Sequence, residues 1–130
     1  MRRMMLWLIA GPLGRRSSLI AVRYRSARGK LVALPVQAAR DGAGGFDVAV
    51  ADAARKSWWR HFRRPAPLEV LADGEWRAAT GVVAPEGADA AHRSRYAARF
   101  PGIRLNPGTR MVRLDLERSA AEAAHGGVQS

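Results

Sequence analysis

Arg55-Lys56-Ser57-Trp58-Trp59-Arg60-His61-Phe62-Arg63-Arg64 lies between two strand-like segments, Phe46 to Ala51 and Leu68 to Ala72, and Pro65-Ala66-Pro67 closes it abruptly. The stretch carries five Lys or Arg, three aromatic residues and no acid, which marks it off from its apolar neighbours. It reads as a short helix. Ser57 suits the N-cap, where a side-chain oxygen satisfies an orphan N–H of the first turn, and proline cannot continue a helix past Arg64. At helical spacing Trp58, Trp59 and Phe62 share one face and Arg60, Arg63 and Arg64 fall largely off it. Arg55 and Lys56 lie just ahead of the helix start, where free N–H groups and the positive end of the dipole suit a phosphate. The same pattern also describes a packing helix with a solvated back, so Trp59 and Phe62 are expected in the core.

Working outward, the period on both sides is that of strands. Leu19 to Tyr24 and Leu31 to Arg40 are two strands joined by the polar turn Arg25 to Lys30, and Asp41-Gly42-Ala43-Gly44-Gly45 is a hairpin turn leading into the third. Pro35 inside the second strand removes a ladder donor, so an edge, bulge or bend is expected there. The glycine turn is not a phosphate loop, because no helix and no GK[ST] follow it. Beyond the central stretch, Leu68 to Ala72, Glu75 to Ala84 and Met111 to Leu116 are three more strands, with a tight Asp73-Gly74 turn and a helix from Ala88 to Phe100. Six short strands with little helix between them favour a closed or partly closed antiparallel barrel, because closure removes exposed edges. The fold class is mainly β, or α+β, with the barrel over residues 18–116 and a frayed tail over 117–130.

Composition bounds the function. A chain of 130 residues without cysteine forms one domain and excludes disulfides, thiolate metal sites and cysteine nucleophiles. Its net charge of +11 points to an anionic partner: nucleic acid, a lipid surface, or a phosphorylated or carboxylated small molecule. Arginine excess in an Ala- and Gly-rich chain permits such a partner without requiring one. His92 and His125 read as surface residues, and three scattered histidines make no metal site.

Residues 1–17 open with Arg2-Arg3, an apolar run from Met4 to Ala10, then Gly11-Pro12 and Arg15-Arg16. The run is far short of the ~20 residues that span a bilayer, and no small-x-small cleavage pattern follows it. An amphipathic helix packed on the domain is the expectation, with peripheral membrane contact through Trp7 or a signal segment as alternatives. The chain is accordingly expected in the cytoplasm, with membrane association left open.

Gly29-Lys30-Leu31-Val32-Ala33-Leu34-Pro35-Val36, an Asp-Gly hairpin, an alternating strand, and Lys56-Ser57-Trp58-Trp59-Arg60-His61-Phe62 before Pro65 together resemble the deazaflavin-dependent nitroreductase and quinone reductase family. The resemblance covers residues 18–116 and is most specific at the aromatic segment. It implies a split β-barrel of the FMN-binding, pyridoxine-phosphate oxidase-like type whose groove holds a deazaflavin (coenzyme F-420) or, alternatively, FMN. By residue-to-residue correspondence it places Lys56, Trp58 and Arg60 at the phosphate-proximal helix, and Gly29 and Pro35 at the turn that opens the second strand. Arg55, His61, Arg28 and Lys30 are further cofactor-binding candidates beside these positions. The implied activity is hydride transfer from the reduced cofactor to a small organic acceptor, which needs no protein nucleophile and suits a sequence without a triad. Related barrels often carry the cofactor at a two-fold interface, so a homodimer is also implied.

The sequence departs from the family in four places. The family's two turn arginines are Ser26 and Val32 here, and its helix asparagine is His61. The loop before the aromatic segment is shortened to Asp52-Ala53-Ala54, and Gly102-Ile103-Arg104-Leu105-Asn106 stands where nitro-reducing members have a tyrosine-rich segment. Two other functions stay open: a barrel that binds a cofactor or other anion without turnover, and a basic nucleic-acid-binding domain. The last is disfavoured because no recognition motif is present and two adjacent tryptophans cannot both be open stacking platforms.

Overall fold

A computed structural model describes residues 18–118; the helix expected over 1–17 and nearly all of the tail expected over 117–130 lie outside the described residues. The six strands are β1 (Leu19–Arg25), β2 (Leu31–Arg40), β3 (Gly45–Val50), β4 (Ala66–Ala72), β5 (Glu75–Val83) and β6 (Arg110–Leu116). They close into a barrel in the order β1-β2-β3-β6-β5-β4, every neighbour antiparallel. One α-helix, α1 (Ala90–Arg99), joins β5 to β6, and two 3-10 turns, Ala53–Arg55 and Trp58–Phe62, join β3 to β4.

Turn chemistry sets the hairpins. Asp73 and Gly74 both have positive φ, 54° and 82°, the pair of left-handed residues that a two-residue turn between twisted strands needs. In the β2–β3 turn Asp41 Oδ1 accepts from the N–H groups of Ala43 at 2.8 Å and Gly45 at 3.0 Å, so the side chain stands in for a missing backbone partner.

Inside the barrel, Ile20, Val22, Val36, Phe46, Val48, Val70, Val112 and Leu114 form the core, and Phe62, fully buried, is set in from the β3–β4 connection. The ring of Phe62 approaches Gly81 of β5 so closely that a Cβ there would lie 2.9 Å from its Cδ1. Outside the barrel, α1 packs Tyr96 and Phe100 against Ala39, Ala84 and Met111.

The central segment is not the short α-helix its sequence suggests. Extended Lys56 (φ −107°, ψ 144°) and Pro65 leave a turn of only five residues, Trp58–Phe62, too few to repeat an i→i−4 bond, and the chain makes i→i−3 bonds instead, from Arg60 N–H to Ser57 O at 3.1 Å and Arg63 N–H to Arg60 O at 3.3 Å. At three residues per turn the expected single aromatic face divides: Trp59 and Phe62 are buried, while Trp58 and His61 are half-buried beside them. Ser57 holds the N-cap position without a side-chain capping bond. A segment this short supplies little dipole, so any attraction for an anion rests on the Arg55 and Lys56 side chains.

Two seams of the barrel are narrow. β1 meets β4 over Ala21–Arg23, and β2 meets β3 over Ala38–Arg40. From Leu31 to Gln37, β2 therefore pairs with β1 and with no other strand among the described residues. Ala38 N–H donates to Ser18 O at 2.8 Å, which fixes the even-numbered residues of β2 as those bonded to β1 and turns the backbone groups of Ala33, Pro35 and Gln37 toward the open side. Pro35 thus gives up a donor that had no ladder partner, the edge position expected of it.

Candidate functional site

The open edge of β2 is one wall of a groove with two lobes. The first, about 560 Å3, is bounded by Tyr24, Ser26 and Ala27, by Val32 and Leu34 of β2, and by Arg55, Lys56, Ser57, Trp58 and His61. The second, about 380 Å3, continues along Pro35 and Gln37 to Val48, Val50 and Tyr96. Leu34, Lys56 and Trp58 line both lobes, so the groove is continuous past them. Each lobe falls within the size range of cofactor sites.

Both walls follow from local structure. The half-buried pair at three-residue spacing, Trp58 and His61, faces the groove because Trp59 and Phe62 take the inward positions. The His61 ring stacks on Tyr24, centroids 4.5 Å apart and planes 25° apart, and the Tyr24 hydroxyl donates to Trp58 O at 3.3 Å. Burial raises the pKa of that hydroxyl, so it stays a protonated donor. Trp59 Nε1–H donates to Ala53 O at 2.8 Å and ties the two 3-10 turns together, which sets Arg55, the last residue of the first turn, and Lys56, just after it, at the groove mouth. No acid of the described residues pairs with Arg55 or Lys56, and none occurs from Ala53 to Ala66, so their charge is available to an incoming anion.

Of the eight candidate residues, Arg55, Lys56, Trp58, His61 and Pro35 come together on this groove. The other three lie off it. Arg60 turns back, its Nη2 donating to Ala54 O at 3.3 Å and its guanidinium lying 5.6 Å from the Trp59 ring centre. Arg28 and Lys30 are exposed on the β1–β2 turn, whose Ser26 and Ala27 do reach the first lobe. Tyr24 and Leu34 were not singled out for the site, because strand positions that face a core look the same in sequence as positions that face a gap in the wall.

The most heavily charged buried cluster lies elsewhere. Asp47, fully buried on the outer face of β3, accepts from Arg95 Nε of α1 at 2.7 Å, meets His92 Nδ1 at 2.7 Å and has Arg113 Nη1 of β6 at 3.4 Å. His92 is therefore a packed anchor of α1, not the surface residue its sequence suggests. Arg95 is held charged chiefly by the Asp47 hydrogen bond. For Arg113, burial opposes the charge, and hydrogen bonds to Asp41 and Asp115 outweigh it. Every acid here is matched by a guanidinium and nothing opens to the groove, so the cluster holds α1 in place. Among the described residues no group of His, Asp and Glu is arranged to hold a metal, and no helix is long and apolar enough to cross a membrane.

A flat cofactor with an anionic tail fits this donor set. The odd-numbered backbone groups of β2 offer carbonyl acceptors and the Ala33 and Gln37 N–H donors along one edge, Trp58 and Leu34 offer apolar surface, and Arg55 with Lys56 offers positive charge at one end.

No known protein family matches the sequence, and no curated protein matches it either. Solved structures do share the fold. A protein of unknown function from Agrobacterium tumefaciens aligns with TM-score 0.58 and 16% identity over 92% of this chain, which spans 59% of that protein's chain. HutZ, the heme storage protein from Vibrio cholerae, aligns with TM-score 0.56 and 10% identity over 91% of this chain and 92% of its own. The FAD and heme binding protein from Mycobacterium smegmatis aligns with TM-score 0.49 and 16% identity over 95% of this chain and 77% of its own. At these identities the likeness to the first two shows the architecture: this chain is a six-stranded antiparallel barrel of the same fold as HutZ.

Proposed function

We propose that this chain binds a flat, phosphate-bearing cofactor of the deazaflavin or flavin class in the groove along β2, and that the bound, reduced cofactor passes a hydride to a small organic acceptor. The observation that carries the reading is the open edge of β2 facing Trp58, with Arg55 and Lys56 free of acidic partners at one end. Arg55 and Lys56 would hold the phosphate. Trp58 and Leu34 would cover one part of the ring, and the backbone of Ala33, Pro35 and Gln37 would meet its polar edge. Hydride supply belongs to the cofactor, and the chain's part is to orient it and keep water from its covered face. The resemblance to the deazaflavin-dependent reductases supports the cofactor class. That HutZ, a heme storage protein, has this fold supports a barrel that carries a flat anionic cofactor.

The test is a fluorescence titration of the chain with the deazaflavin, with FMN and with hemin, at two salt concentrations, beside Lys56→Ala. Saturable binding of the deazaflavin or FMN near or below about 10 μM, on the order of −7 kcal/mol, and weakened about tenfold by the substitution is expected. Hemin binding with neither of the others would reassign the cofactor class. Binding of none in either salt would end the oxidoreductase reading.

A further inference from the structure

A second cavity, about 260 Å3, shares no lining residue with the groove. Its polar walls are Arg63, Arg110 and Glu86, its floor is Val83, Ala84 and Pro85, and its back is the Trp59 ring. Three guanidinium groups gather at that ring: Arg63 at 5.4 Å from its centre, Arg60 at 5.6 Å and Arg110 at 5.8 Å. The ring itself is fixed, since its Nε1–H is committed to Ala53 O. Each cation gains from the indole face, yet three like charges around one ring repel one another. A single carboxylate answers them: Glu86 reaches Arg110 Nη1 at 2.7 Å from a side chain 73% exposed, and Arg63 has no acidic partner among the described residues. Glu86 thus occupies, weakly and from the rim, a place where a better-matched anion would bridge Arg63 and Arg110.

We propose that this cavity is an anion site for a small organic phosphate monoester. Its phosphate bridges the Arg63 and Arg110 guanidiniums, displacing Glu86 from Arg110, and its organic part rests on Val83, Ala84 and Pro85. Planar guanidiniums favour phosphate through paired N–H donors, and the apolar floor favours a monoester over the free ion. The site is independent of the groove, so it stands or falls apart from the cofactor reading.

The experiment is a calorimetric titration of the full chain at low salt with phenyl phosphate and with inorganic phosphate, on the wild type and on Arg63→Ala, Arg110→Ala, Glu86→Gln, Lys56→Ala and Glu75→Gln. Phenyl phosphate is expected to bind one to one and more tightly than inorganic phosphate, with affinity reduced about tenfold or more by either arginine substitution. Glu86→Gln is expected to strengthen binding several-fold, while Lys56→Ala and the distant Glu75→Gln leave it unchanged. Arg63 is exposed, so its variant reports on binding even if Arg110→Ala folds poorly. Unchanged affinity in Arg63→Ala overturns the proposal, and so does loss on Lys56→Ala, which would place the anion in the groove. An equal gain from Glu75→Gln and Glu86→Gln would reduce the effect to net charge and overturn it as well.

Discussion

Gly81 is where one residue's lack of a side chain decides the barrel's filling. A Cβ at this position would stand 2.9 Å from Phe62 Cδ1 and 3.1 Å from Leu114 Cδ2, and both side chains are fully buried. Gly81→Ala is therefore expected to lower stability by about 1–3 kcal/mol, the usual range for overpacking a filled core. Urea unfolding checks it, through a lower midpoint at unchanged slope; an unchanged midpoint would mean that Phe62 has room to move. Trp58 is the corresponding residue for the site. It packs edge-on to Phe62, centroids 6.3 Å apart, yet lines both lobes of the groove. Trp58→Ala is expected to weaken cofactor binding about tenfold while the barrel still folds, because the side chain is only half-buried. At this scale the sequence was informative: Trp59 and Phe62 are core residues as read, and Arg55 and Lys56 lie at the groove mouth. Ser57 was misread because N-cap chemistry was assumed for an α-helix, and the 3-10 turn offers no such bond. Arg60 was placed by family correspondence, whereas one turn of tighter winding sends it back over Trp59.

The element whose position depends most on buried charge is α1. Asp47 binds it to the barrel through His92 and Arg95, across 45 and 48 residues of sequence. Removing the carboxylate leaves Arg95 and His92 to be rehydrated at a helix that still packs through Tyr96 and Phe100. Asp47→Ala is expected to cost about 3 kcal/mol, somewhat less in effect than a fully enclosed pair because Arg95 reaches solvent. Hydrogen exchange would show it first as faster exchange across residues 90–99; uniform loss of protection throughout the barrel would mean that Asp47 supports β3 rather than the helix. The strands themselves were legible, since β2 and the Asp73-Gly74 hairpin follow from alternation and turn residues alone. The role of His92 was not. Asp47 sits at an outward position of an alternating strand, and only the later arrival of a basic helix over that face buries it.

For the molecule as a whole, closure into a barrel was readable from six short strands and little helix, and of the edge, bulge or bend that Pro35 suggested, the structure has the edge. Where the two walls of the groove come together was not readable, because it depends on β2 joining β3 only from Ala38 onward and on the winding between β3 and β4. The charge that surrounds the barrel also sets its acid stability. Burial pushes the Asp41 carboxyl up, but the Arg113 hydrogen bond, the N–H groups of Ala43 and Gly45 and the Arg113 charge outweigh it and hold its pKa at about 2. The hydrogen bond from Arg23 lowers Glu69, and that from Arg93 lowers Asp89. Carboxylates lowered on folding contribute stability that is fully present above their unfolded values, near about pH 4, and is lost as pH falls toward about 2. Thermal unfolding at steps across that window is expected to show a falling Tm, with a shallower fall in Asp41→Asn; an equal slope in the variant would assign the effect to other groups.

The central claim is that the open edge of β2 receives the cofactor, and amide hydrogen exchange at single-residue resolution, with and without saturating deazaflavin, tests it most directly. The Ala33 and Gln37 amides face the groove without a strand partner and are expected to exchange quickly in the free chain and slow markedly on binding. The Leu34 and Val36 amides, bonded to β1, are expected to be protected in both states. Saturation that leaves Ala33 and Gln37 exchanging as before, with protection appearing elsewhere, would contradict the account and move the site away from β2.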